Sequence, residues 1–459
     1  MVKKLLTNRM MKFIQIQNIL TNKRLKNFCL LFSALSFALS ASSQKITLND
    51  AVTIALKNSL NIQLGKNYVK IAGINNSYGI AGGLPLVTAT GSNTEQISDL
   101  RQKYSDPTKN TFTNNASSNT LSGSLNASEL IYNGGRVVTA KKRLGEIESQ
   151  TKNQLSSRAL ILVYNVMLKY YDVIRQQSYS GTLQKSIDAS KQKLDIVKAQ
   201  QSVGMANNAD LFQAQVDLNT QLQNLQAQQL IIDQDKTDLL TLLTLNPDST
   251  LMIEDTIIID RKLELSAILS GVSTNPDIIA ANDQITINRY IEKETGAQRY
   301  PTFGIGGGFN LGRTQNTGFS LYSALLNESY GPYAGVTLTV PIFNGTIYKK
   351  QQQVAAVNTQ NASLIRDTLS IGYTANAVKS WQAYKNNLEQ LETSTQTYKL
   401  SQQLLDLVLK RFELRQATIV DVKNAQQSFE NAGFLLINLS YAAKAAEIQL
   451  KRFANQLTY

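Results

Sequence analysis

Nucleophilic, redox and zinc chemistry draws heavily on histidine and cysteine, and this chain is almost without them. Its 459 residues contain no histidine and one cysteine, Cys29, inside an N-terminal apolar run. Beyond that run no disulfide, thiolate or imidazole ligand, or histidine-based nucleophile can be assembled. Carboxylates remain, but no pair of them stands out for acid–base work. No catalytic, metal-binding or cofactor-binding residue is assigned, and no cofactor is expected. Two aspartates nevertheless recur in one setting: Asp210 in Asn207-Asn208-Ala209-Asp210 and Asp421 in Thr418-Ile419-Val420-Asp421. Both match the pattern in which a side chain caps the first turn of a helix.

The elements that position these aspartates occur twice. Asp210 and Asp421 lie 211 positions apart, and the same offset relates Tyr132-Asn133-Gly134-Gly135 to Phe343-Asn344-Gly345-Thr346. Two matches at one offset mean equal lengths between them, as duplication of a geometrically constrained unit produces. After each Asn-Gly turn comes a stretch without proline or a glycine cluster, about Gly135 to Val203 and Thr346 to Leu414. Each predicts a helix of roughly 100 Å at 1.5 Å per residue. Apolar stripes such as Leu160, Val163, Val166, Met167, Tyr170 and Val173 mark coiled-coil material. The helices reverse at Val203-Gly204-Met205 and Leu414-Arg415-Gln416, and return helices follow, the first ending at Asn246-Pro247-Asp248. Ahead of the turns, a helix opens at Thr47 to Asp50 and runs to Gly82-Gly83, where Pro85 stops it. Its counterpart opens at Asn275-Pro276-Asp277 and ends at Tyr300-Pro301.

Between each proline and its Asn-Gly turn the period becomes two. Phe303, Ile305, Phe309 and Leu311 alternate with glycine, Thr302 and Asn310, and Ala334, Val336, Leu338, Val340 and Ile342 continue the pattern. Leu121, Gly123, Leu125 and Ala127 repeat it more weakly. An apolar face opposite a small, polar one is the mark of a membrane strand, although soluble sheets alternate too. Tyr322, Tyr330 and Tyr333 suit either an interfacial belt or loops. The stretches Ser92 to Asn119 and Arg313 to Gly331, rich in Asn, Thr and Ser, are expected to be exposed loops. Pro85 and Pro301 lie 216 apart, so the two hairpins differ by five residues. Four strands cannot close a barrel, which needs about eight. Two copies would supply eight and three would supply twelve, and the residues alone do not choose.

The first 43 residues hold seven basic and no acidic residues, an apolar run from Phe28 to Ala41, and small residues Ala41-Ser42-Ser43. They read as a secretory signal cleaved before Gln44, with Met10 and Met11 as alternative starts. Cys29 would leave with it. The formal charge of +13 then falls to about +6, so nucleic acid is not an expected partner. No later stretch is long and apolar enough for a membrane helix. The organisation expected is residues 1–43 signal peptide, 44–246 first repeat, 247–264 linker or equatorial segment, and 265–459 second repeat.

These elements in this order resemble the TolC-like outer-membrane efflux proteins across the whole mature chain. The marks are Ser128 to Arg136 and Val340 to Gly345 with their strand-to-helix turns Asn133, Gly134, Asn344 and Gly345. The tip segments Gly204 to Gln215 and Arg411 to Gln426 complete them. The resemblance implies an α+β membrane protein: a long α-helical coiled-coil tunnel joined to a transmembrane β-barrel completed by oligomerisation, four strands per chain and twelve per homotrimer. It implies outer-membrane lipid around the barrel, a tunnel in the periplasm, a periplasmic adaptor docked on the helical tips and an inner-membrane pump of the RND or ABC type. The channel does no chemistry, and the pump supplies the energy.

By the same resemblance, Asp421 and Asn424 fall where two acidic residues line the periplasmic constriction, and Asn424 makes the ring less negative. Asp421 has a second reading, helix capping, compatible with the first; capping is the favoured reading for Asp210. Val203, Gly204, Met205, Asp210, Arg411 and Arg415 fall at the adaptor-docking tips. Gly204 suits a left-handed turn, and Arg415 replaces it in the second repeat. Arg411 and Arg415 either pair with Asp421 or are solvated. The competing function is a periplasmic coiled-coil scaffold or tether without channel activity. An envelope enzyme is a distant third.

Overall fold

The computed structural model of the chain describes residues 44–317 and 324–457. The signal segment, Cys29 and Tyr322 lie outside the described residues. The elements are β1 (Gln44–Lys45), α1 (Leu48–Asn58), α2 (Leu60–Asn75), β2 (Leu86–Gln102), β3 (Thr111–Tyr132), α3 (Arg136–Ser202), α4 (Asn208–Leu242) and β4 (Leu251–Met252). There follow α5 (Leu265–Gly271), α6 (Pro276–Ala297), β5 (Thr302–Thr317), β6 (Leu326–Thr339), α7 (Ile347–Glu413) and α8 (Ile419–Phe453). The long helices α3 and α7 have 67 residues each, and the return helices α4 and α8 have 35 each. Every one of their ends is displaced by the same 211 positions.

Contacts divide the chain into two compact units, and each draws on both repeats. One comprises residues 44–54, Lys169–Ile257 and Leu400–Ile437. The other comprises Ala55–Leu168, Ile258–Lys399 and residues 438–457. The first is helical apart from the two-residue parallel pair β1–β4. Val173, Ile187, Val197, Leu239, Val422 and Phe429 are buried in it. The second holds a helical core of Ile268, Ala377, Tyr384, Leu450, Phe453 and Ala454, together with the main sheet.

That sheet is antiparallel throughout, in the order β2-β3-β5-β6. Because side chains alternate between faces, the register sorts them. Phe303 pairs with Leu338, Ile305 with Val336, and Phe309 with both Leu125 and Pro332, which places these side chains on one face. Val336 and Leu338 are 71% and 66% exposed, so among the described residues no protein core lies over this face. On the other face Thr90 meets Ser124 and Ser92 meets Ser122, each oxygen pair at 2.7 Å, and the Tyr333 hydroxyl donates to Asn126 Oδ1 at 2.5 Å.

Two expectations are corrected. Most of Ser92 to Asn119 is strand rather than loop, since β2 and β3 leave only residues 103–110 between them. Similarly, β5 continues to Thr317 and β6 begins at Leu326. These extensions are mostly polar on both faces, with only scattered apolar residues such as Ile97, Leu100 and Phe112, and therefore carry no sustained period-two hydropathy. Backbone pairing and cross-strand polar bonds hold them, such as Glu95 accepting from Ser117 (2.5 Å) and from Asn119 (2.8 Å). The helix opened by Thr47 and Asp50 is also divided. It ends at Asn58, and Ser59 accepts a hydrogen bond from Ile62 N to cap α2. The following segment turns through Gly82 before Pro85.

At the strand-to-helix turn, Gly134 sits at φ +69°, and a Cβ there would lie 2.8 Å from Tyr300 Cβ and 2.9 Å from Ala297 O. Both the conformation and the packing require glycine. Gly134→Ala is expected to cost at least ~2 kcal/mol, read as a lowered urea midpoint in detergent. Gly135→Ala, at a position with open space around it and matched by Thr346 at φ +66°, should cost less.

Candidate functional site

The two reversals that carry the tip residues are built alike. At the first, Gly204 N donates to Gln201 O (2.9 Å) and Met205 N to Gln200 O (2.7 Å). At the second, Arg415 N donates to Phe412 O (3.1 Å) and Gln416 N to Arg411 O (2.7 Å). This is the paired-bond helix ending that needs one left-handed residue. Gly204 supplies it at φ +73° and Arg415 at φ +60°, so replacing glycine by arginine leaves the turn geometry intact. A non-glycine residue there costs about 1–2 kcal/mol.

Arg415 also makes a bond that glycine could not. Its Nη2 donates to Met205 O at 2.7 Å, tying the second tip to the first. Gln200 Nε2 donates to Phe412 O in the same place (3.3 Å). Arg411 Nη2 donates to Gln416 O at 3.0 Å, closing its own turn. Neither arginine forms an ion pair with Asp421 among the described residues, although the Arg411 charge lowers the Asp421 carboxyl slightly. Val203 and Met205 are exposed apolar residues at the first tip.

Both aspartates cap. Asp210 N donates to Asn207 Oδ1 (2.8 Å) and Asn207 N to Asp210 Oδ2 (3.4 Å), a reciprocal capping box on α4. Thr418 N and Oγ1 donate to Asp421 Oδ2 at 2.7 and 2.8 Å, and Asp421 N donates to Thr418 Oγ1 at 3.2 Å. The Thr418 backbone and hydroxyl bonds hold the Asp421 carboxyl below its usual range. These bonds use Oδ2 alone, and Asp421 is exposed, so the cap leaves Oδ1 for solvent. Asn424 is exposed one turn further along α8, on the same side of the helix. The structure thus groups Val203, Gly204, Met205, Arg411 and Arg415 at the joined reversals, with Asp210, Asp421 and Asn424 on the first turns that follow them. The turn residues Asn133, Gly134, Asn344 and Gly345 belong to the other compact unit. Asn133 Oδ1 there accepts from Val137 N at 3.2 Å.

Behind the tips lies a polar cluster that sequence reasoning did not find. Lys193, fully buried, meets Asp217 Oδ2 on α4 at 2.5 Å. Lys423 on α8 lies 3.8 Å from the other Asp217 oxygen. Gln426 Nε2 donates to Ser190 Oγ at 2.9 Å, and Ser186 bonds to Glu430. Burial pushes the Asp217 carboxyl up, but bonds from Lys193 and Gln213 and the two lysine charges outweigh it and hold the group low. The available signal was a lysine one turn from Ser190 and Val197 and two from Ser186, on a helix side that is otherwise small or apolar.

Residues 272–456 match the model of the outer membrane efflux protein family. The chain is 24% identical over 343 residues to toxin and drug export protein A of Aggregatibacter actinomycetemcomitans, covering 74% of this chain and 73% of that one. The fold is similar to the Campylobacter jejuni CmeC outer membrane channel, with a TM-score of 0.72, 17% identity, and 90% and 87% of the two chains covered. It is also similar to the outer membrane protein VceC of Vibrio cholerae, with a TM-score of 0.69, 19% identity, and 89% and 95% covered.

Removing one partner from a buried ion pair typically costs about 3–5 kcal/mol. Lys193→Met should therefore lower stability by that order, read in urea, and Lys193→Met/Asp217→Leu should recover most of it. Since Asp217 titrates below its unfolded value, the pair's contribution is present above about pH 4 and is lost as pH falls through the lower folded value. That loss should be absent in the double variant. The second half of the chain thus matches the outer membrane efflux protein family, and the fold along its length is similar to that of solved outer-membrane proteins of the channel type.

Proposed function

We propose that the protein is the outer-membrane export duct of a tripartite efflux or type I secretion system. Three copies would complete one twelve-stranded barrel, with the helical tunnel in the periplasm. A periplasmic adaptor would dock on the tips and open them, and an inner-membrane pump would drive cargo through a channel that does no chemistry. The observation that carries this reading is the four-stranded sheet. Its large apolar side chains have no core to cover them, and β2 and β6 are both edge strands. Within a bilayer every backbone group must be paired, which forces closure by further copies. A periplasmic scaffold or tether would need no such face. One named relative is a toxin and drug export protein, and one similar structure is an outer membrane channel.

The purified mature chain should require detergent for extraction and should have the mass of three chains in light scattering. A detergent-free monomer would remove the channel reading and leave the scaffold. In planar bilayers the assembly should conduct, and Asp421→Lys should shift its cation selectivity towards anions. Unchanged selectivity would leave Asp421 its capping role only.

A further inference from the structure

The register places Leu86, Tyr132, Thr302 and Thr339 at one end of the sheet, and the four segments leaving that end carry a one-sided charge. Within about three helical turns of the strand ends, residues 75–85 hold no charge, and residues 133–143 and 340–350 hold only basic ones. The fourth segment, 291–301, contains Glu292 and Glu294 with Lys293 and Arg299. Arg143 takes Glu294 at 2.6 Å, and Glu292 accepts from Thr359. Inside the sheet, Glu129 lies three residues short of Tyr132. Arg136, Lys142, Lys349 and Lys350 are all exposed, and none pairs with a carboxylate among the described residues. The opposite end of the sheet is balanced: Arg101, Lys103, Lys109 and Arg313 are offset by Glu95, Asp99, Asp106 and Glu328, with Arg313 and Glu328 at 3.3 Å.

The same junction exposes Tyr132, Tyr300 and Phe343, amphipathic or apolar rings of the kind that settle at a membrane–water boundary. In order, then, there is an apolar sheet face, a rim of aromatic rings, and an unpaired basic collar. Neutral solvent or a zwitterionic headgroup gives no reason for one sign of charge, whereas a surface of anionic headgroups attracts each lysine or arginine near it. We infer that Arg136, Lys142, Lys349 and Lys350 form a collar that binds the phosphates of anionic phospholipids in the leaflet next to the strand-to-helix turns. This rests on the barrel reading above and adds a lipid preference to it.

The full mature chain would be reconstituted in phosphatidylethanolamine vesicles with and without phosphatidylglycerol, then extracted gently and its retained lipid weighed by mass spectrometry. Phosphatidylglycerol should be retained about fivefold above its share of the vesicle, the order expected from one basic residue per lipid. R136Q/K142Q/K349Q/K350Q should return it to that share, and the control K103Q/K109Q should not. Retention at the bulk share by the unaltered protein, or undiminished enrichment in the fourfold variant, would overturn the collar while leaving the barrel. Failure to insert into either vesicle would overturn both.

Discussion

The constraint on which the rest depends is the backbone of four strands that end in two open edges. A sheet with one apolar face uncovered by protein has nowhere stable to be except in lipid, and in lipid unpaired edge groups cost several kcal/mol each. Closure around an axis answers both requirements. The proposed closure would also set terms for the helices, because every copy would have to deliver its four strand ends to the same ring. Helices α3 and α7, of one length, and α4 and α8, of another, are what a ring of alternating repeats requires.

The tips show how the two repeats diverge without changing length. The left-handed position is kept, but the second repeat fills it with Arg415, whose side chain then reaches Met205 O. The small conformational cost is offset by a bond between the reversals. The capping aspartates are kept as well, with Asn207 as partner in one repeat and Thr418 in the other. Lys193 and Asp217 have no charged equivalents at positions 404 and 428, where Leu404 and Ser428 stand. The buried ion pair therefore belongs to one repeat only. A buried pair of this kind is weak as a source of net stability, but removal of one partner leaves the other as an uncompensated buried charge.

Much of this was legible in the residues. The Asn-Gly turns and the 211-residue offset located the long helices to within a residue or two of their observed ends, since glycine, proline and cap residues punctuate the chain locally. The apolar strands around Phe303 and Val336 were legible because their alternation is one of hydropathy. The outer halves of β2 and β3 were not, because Ser, Thr and Asn occupy both faces and the stabilising pairs, such as Glu95 with Ser117, are non-local. The break at Ser59 was missed because apolar periodicity runs straight through it. Lys193 was missed for a similar reason: only the meeting of three helices shows that it is buried.

The central claim is that alternate residues of the sheet meet lipid and water, and site-directed labelling tests it directly. In a Cys29→Ser background, cysteine would be placed singly at Val336, on the apolar face opposite Ile305, and at Thr337, opposite Gly304. With the protein in intact membranes and a charged, water-soluble maleimide, position 337 should react and position 336 should stay protected until detergent is added. Equal labelling at both positions in intact membranes would contradict a barrel wall and return the sheet to water.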